Sequence, residues 1–178
     1  MERRSILITS LVAFAIVLAT DVLYGGIINA QGGTAPMPYV PRFVAGYMAL
    51  MAALIAIALL PRAEIVPIRA PLRAAAAAGL LVLGFLAAFS VGPPLVIAGL
   101  LVSFAFSRTI RGARSRPARF SGLAAALVAV AVLLAGFEVT QRVVVCPEAG
   151  QMSGGGSGFL SGPYQYECNN GVATFHSG

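Results

Sequence analysis

Lysine and tryptophan are missing from these 178 residues, and histidine occurs once, at position 176. Charge of either sign is scarce, at 10% of residues, where a soluble domain carries about 25%. Each shortage excludes something. One histidine cannot supply bis-histidine haem ligation within a membrane. With two cysteines it also falls short of the four ligands, at recognisable spacing, that a zinc site needs. A Ser-His-Asp set would have to borrow His176, and nothing marks Cys146 or Cys168 as an activated thiol, which a disulfide would in any case consume. No glycine-rich phosphate loop follows a strand. No cofactor, metal or catalytic residue is therefore expected, and a non-catalytic protein is the favoured class.

What fills the chain instead is apolar: 58% of residues are hydrophobic. The net charge of +6 rests on arginine alone. Those arginines fall at the ends of apolar runs, where membrane topology explains them, so nucleic acid is not an expected partner. Abundant Ala, Gly and Arg without lysine suggests a bacterial source with a high-GC genome.

The densest charge is the stretch from Arg108 to Arg119, RTIRGARSRPAR, with five arginines in twelve residues. It cannot lie in hydrocarbon and reads as a loop at the inner face of a membrane. Anionic inner-leaflet lipids are its expected partners, at about 1 kcal/mol per residue near the surface. Around it the sequence predicts an all-α integral membrane protein with five spans, at about 5–24, 43–60, 74–91, 93–107 and 120–137. The first run is too long for a signal peptide's apolar core, so an uncleaved helix is expected. Residues 25–41, rich in Gly and Pro, read as an irregular loop, and 61–73 reads as a second loop. Alanines 45, 49, 53 and 56 form a small-residue stripe on the second span. Ser121, Ala125 and Ala129 form another on the last. Such stripes let helices approach closely in lipid.

Residues 74–107 hold 34 positions without a charge. As one helix they would measure about 51 Å, against a hydrocarbon core of about 30 Å. Gly92, Pro93 and Pro94 are read as the break of a tight hairpin. The rival is a re-entrant or kinked single span, which would put the five arginines outside. With five spans and the N-terminus inside, ten of the twelve arginines are cytoplasmic, which favours the hairpin. The chain then divides into a bundle over 1–140 and an extracytoplasmic tail over 141–178, in a bacterial plasma membrane.

The tail holds both cysteines. Outside the cytoplasm, Cys146 and Cys168 are expected to form a disulfide, worth about 3 kcal/mol in the chain-entropy model. Ser153 to Gly158, SGGGSG, reads as a flexible connector. Asn170-Gly171 predicts a β-hairpin pairing Tyr166 with Phe175 and Cys168 with Ala173. Val143 to Cys146 is the expected third strand. The remaining candidates are ionisable residues at span ends: Asp21, Arg42, Glu138 and Arg142, an outer-interface polar cluster in which Asp21 and Arg42 are expected either to pair or to be simply solvated.

Two functions follow. The first is an accessory or interaction subunit that presents its tail to a partner and its small-residue faces to other membrane subunits. The alternative is a small channel or transporter component using the Pro-Pro break as a bend.

Overall fold

A computed structural model describes residues 2–30, 39–112, 116–158 and 161–177. The chain is mostly helical: α1 Glu2–Ala30, α2 Tyr39–Leu59, a 3-10 segment Ala63–Ile68, α3 Arg69–Leu86, α4 Gly92–Gly112 and α5 Arg116–Gln141. Three strands follow: β1 Gln151–Gly158, β2 Gly162–Asn169 and β3 Val172–Ser177. Five helical stretches, Arg4–Ala30, Tyr39–Leu59, Ala63–Leu86, Gly92–Ile110 and Phe120–Gln141, are long and apolar enough to cross a membrane.

The helices overrun the expected spans. α1 continues through Gly25 and Gly26 to Ala30, and α2 starts at Tyr39 with Pro41 in its first turn, a position proline tolerates. The middle of the expected 25–41 loop, residues 31–38, lies outside the described residues. So do 113–115 of the arginine stretch, whose flanks continue α4 to Gly112 and open α5 at Arg116. The expected 61–73 loop is also largely helical. Its last arginine, Arg73, is 7% exposed within α3.

The chain divides into two compact units, Met1–Gly26 with Ala45–Leu133, and Ile27–Val44 with Leu134–Gly178. In the first, α3 is the helix most enclosed, with Ala70, Arg73 to Ala77, Gly79, Leu80, Leu83 and Gly84 all buried. Its small residues explain this. Gly79 lies under Tyr47 and Met51 of α2, where an added Cβ would fall 2.6 Å from the methionine sulfur. A Cβ added at Gly122 on α5 would lie 3.6 Å from the Ala74 methyl. The Tyr47 hydroxyl donates to the Ala129 carbonyl of α5 over 2.8 Å, which satisfies a buried phenol in an apolar surround.

α3 and α4 form the hairpin. A Cβ at Gly84 would lie 2.8 Å from the Val96 side chain and 3.1 Å from the Gly92 carbonyl, and one at Gly99 would lie 2.8 Å from Leu81. The first arm ends earlier than expected, at Leu86. The turn is Ala87 to Val91, closed by Gly92 N–H donating to the Ala87 carbonyl over 2.9 Å. Pro93 and Pro94 open the second arm as expected, and with Gly92 they form the first turn of α4. Proline there loses no helical bond, since the first amides of a helix have no intrahelical acceptor.

The alanine stripe on α2 packs less than expected. Ala49 and Ala53 are exposed, while Val44, Tyr47, Met48, Met51, Ala52, Ile55 and Ala58 form the buried face. On α5, Gly122 and Ala129 are buried and Ser121 is exposed. Leu7, Ile8, Leu11 and Val12 of α1 and Leu123, Leu127 and Val128 of α5 are exposed. Such faces suit lipid.

In the second unit the strands form an antiparallel sheet in the order β1-β2-β3. The β2-β3 hairpin has the expected register, Tyr166 opposite Phe175 and Cys168 opposite Ala173. Its turn has φ of 46° at Asn170 and 85° at Gly171, the positive pair that a two-residue Asn-Gly turn supplies. The Cys146–Cys168 disulfide is formed. The third strand is not Val143 to Cys146, which is irregular, but residues 151–158. The expected connector is thus a paired strand.

Candidate functional site

Beta strands made of glycine are weak on their own, having no side chains to pack. β1 is held by its partner instead. Gly154 lies opposite Tyr166 and Gly156 opposite Tyr164, and a Cβ at either glycine would collide with that tyrosine's ring. The rings lie across the glycines, which is how aromatic residues rescue glycine in a sheet. Phe175 adds to the cluster from β3, with ring centroids 6.1 Å from Tyr164 and 6.5 Å from Tyr166. Tyr166 and Cys168 are 4% and 2% exposed, so the centre of this face is covered, while Phe175 at its edge stays exposed. Asn170 fastens the free end of β1: its N–H donates to the Gly150 carbonyl over 3.1 Å, and its Oδ1 accepts from Gly150 N–H over 3.2 Å.

Two contacts anchor this sheet to α5. The Tyr164 hydroxyl donates to the Gln141 carbonyl over 2.6 Å, satisfying an acceptor that the helix terminus leaves open. At Gly158 an added Cβ would sit 2.7 Å from both carboxylate oxygens of Glu138 and would strike Ser161 Oγ. The carboxylate therefore rests against the β1-β2 turn. A carboxylate in the last turns of a helix is disfavoured by the macrodipole. Arg142 offsets this, with its Nη2 3.0 Å from Glu138 Oε1. Burial pushes the Tyr164 phenol above its ordinary value; Tyr166 and Glu138 push it the same way and Arg142 opposes.

The expected cluster resolves as follows. Glu138 and Arg142 are brought together, one helical turn apart. Phe43 packs edge-on against Phe137 with centroids 5.5 Å apart, which sets the start of α2 against the same end of α5. The adjacent Arg42 is exposed and stacks over the Tyr39 ring at 6.0 Å. Asp21 belongs to the other compact unit and is half-buried on α1.

A shallow cleft in the second unit is lined by Arg142, Ser161, Pro163, Tyr164, Phe175 and His176, and a separate hollow that shares Arg142 and Ser161 is lined by Glu138 and Val139. The cleft offers a guanidinium, a hydroxyl and an imidazole beside an aromatic wall, a set suited to recognising a polar or acidic peptide surface. Among the described residues no group of three or more His, Cys, Asp or Glu gathers as a metal site. No family model, curated protein or solved structure matches the chain.

Sequence reasoning does not single out Tyr164, Gln141, Gly158, Ser161 or Asn170 as structural partners. The legible signal is the pair Tyr164 and Tyr166, two apart, near a run of alternate glycines. An aromatic pair at strand spacing asks for a small-residue partner strand.

Proposed function

We propose that this chain is a non-catalytic accessory or interaction subunit of a bacterial plasma membrane. It crosses five times with its N-terminus and arginine-rich stretch in the cytoplasm, and it presents the β1–β3 sheet outside to another protein. The observation that carries the reading is the sheet itself. A disulfide, two tyrosine rings seated on glycines and a tyrosine bond to the end of α5 fix a small, shaped surface where a flexible tail would have sufficed. The arginine distribution supports the orientation, and a disulfide fits an oxidising compartment. The arginine stretch favours anionic inner-leaflet lipids.

The channel or transporter alternative has weaker support. Gly92, Pro93 and Pro94 open a helix beside a short turn, whereas solute sites in broken helices use unwound backbone within a span.

The test compares the full chain with the Gly154→Val, Gly156→Val double variant, both purified from their native membrane in mild detergent. A stoichiometric second protein should accompany the full chain and be lost from the variant, whose helical content is unchanged. A chain that purifies alone, and by itself conducts ions or solutes in liposomes, would refute the accessory reading.

A further inference from the structure

One end of the α3–α4 hairpin holds a charge with no carboxylate counterpart among the described residues. Arg73 is 7% exposed. Its Nη1 donates to Thr109 Oγ1 of α4, and that hydroxyl donates onward to the Ala105 carbonyl over 2.7 Å. Its Nε is buried with no acceptor. Arg69, one turn earlier on the same side of α3, donates from Nη2 to the Leu60 carbonyl at the end of α2 over 2.6 Å. Its Nε is likewise buried and unpartnered. Among the described residues neither guanidinium meets a carboxylate: the ion pair found is Glu138 with Arg142, and Glu64, the acid nearest in sequence, is exposed.

Two like charges one turn apart, one enclosed by helices, carry a large desolvation cost unless an anion joins them. Depth sharpens the point. The 18 residues of α3 span about 27 Å, slightly less than a hydrocarbon core. Arg73 therefore lies about 6 Å nearer the midplane than Arg69, where an arginine marks a functional site by default. Both guanidinia have used a terminal nitrogen on a protein oxygen. Arg73, having used Nη1, keeps the edge formed by Nε and Nη2, which matches two oxygens of a phosphate, and Arg69, having used Nη2, keeps its Nε–H and Nη1 as single donors.

We propose that Arg69 and Arg73, with Thr109 holding the second in place, form a binding site for the phosphate of an anionic lipid headgroup. The lipid enters beside the start of α3 and neutralises both arginines. The site is distinct from the diffuse attraction of the 108–119 stretch, because it depends on two particular side chains and on burial. It holds in either orientation of the chain, since both leaflets carry phosphate, so its failure would not bear on the proposed function.

The test uses the full chain in detergent, stripped of lipid, and follows its thermal unfolding as phosphatidylglycerol, phosphatidylcholine or inorganic phosphate is added. Phosphatidylglycerol should raise the melting temperature saturably and phosphatidylcholine much less. Arg73→Gln should weaken the apparent affinity about tenfold, the loss of one charge-assisted hydrogen bond. Arg62→Gln, which removes an equal charge from an exposed position near the same helix end, should stay within about twofold of the parent, as expected of a screened surface charge. Inorganic phosphate reproducing the shift at millimolar concentration would assign the site to the free anion instead of the lipid. Without lipid, Arg73→Gln should be no less stable than the parent, because it removes a buried uncompensated charge. Should that variant fail to fold, Arg69→Gln, a half-buried position, gives the same affinity comparison. Equal lipid responses in the Arg73 and Arg62 variants, no lipid response at all, or a copurifying protein carboxylate that Arg73→Gln releases would each overturn the site.

Discussion

The α3–α4 hairpin and the β1–β3 sheet are both antiparallel, both seated on glycine, and held by opposite means. In the hairpin Gly84 and Gly99 bring helix against helix, and Leu80, Leu83, Leu95, Ala98, Val102 and Ala105 bury almost completely. No covalent bond is involved. In the sheet Gly154 and Gly156 bring backbone under an aromatic ring. Only Tyr166 and Cys168 of its large or sulfur-bearing side chains are nearly closed off, and a disulfide makes up the difference. A three-stranded sheet with so small a core is marginal by itself. The difference teaches where each region is vulnerable: the hairpin to added volume, the sheet to reduction.

The largest effect should come from volume in the hairpin. Gly84→Leu places side-chain atoms against the Gly92 carbonyl, which is backbone and cannot yield. Overpacking of this kind costs about 3 kcal/mol, and the variant should lose the folded, monodisperse state in detergent. Intact mass should still show the disulfide, since the two regions fail separately. A tolerated Gly84→Leu would mean that the helix approach is not what holds the hairpin.

Next is the sheet. Cys146→Ser with Cys168→Ser removes a cross-link worth about 3 kcal/mol, but only from the tail. Limited proteolysis should cut between residues 147 and 167 in the variant and not in the parent, while helical circular dichroism and melting of the helices stay unchanged. Loss of helical structure on reduction would erase the contrast between the two regions.

The smallest effect concerns the tyrosine at the end of α5. Tyr164→Phe loses one hydrogen bond, worth about 1 kcal/mol. The phenol's folded-state value is raised, so the neutral form is the one the fold prefers. Its contribution is full below the unfolded value of about 10 and is lost as pH rises through the raised folded value. Protease resistance of the tail should therefore fall in strong alkali in the parent. That alkaline loss should be reduced in Tyr164→Phe.

Local chemistry is what the sequence makes legible. Asn170-Gly171 announces its own turn, and the register of β2 on β3 follows from it. Five apolar stretches announce membrane-length helices. Features that depend on a partner stay hidden. Ser153 to Gly158 has no strand propensity, and becomes a strand only because Tyr164 and Tyr166 stand across from it. Ala87 to Val91 holds no Gly or Pro and one Ser, so sequence alone runs the first arm on to Val91, although it rightly starts the second at the Gly-Pro-Pro run. Arg73 looks like part of a loop because arginine usually marks one. Its burial comes from α4, through Thr109. Of the candidate cluster, Glu138 and Arg142 are legible as an i, i+4 pair, but the seat of Glu138 on Gly158 is not, since it depends on the fold of the tail.

The central claim is that the chain crosses a membrane five times with its arginine-rich stretch inside and its sheet outside. The direct measurement is cysteine accessibility in a background carrying Cys146→Ser and Cys168→Ser, with single cysteines placed at Ser115 and at the exposed Ser161. A membrane-impermeant maleimide should label Ser161→Cys in intact cells and label Ser115→Cys only after permeabilisation. Labelling of Ser115→Cys in intact cells, or protection of Ser161→Cys until the cells are opened, would contradict it.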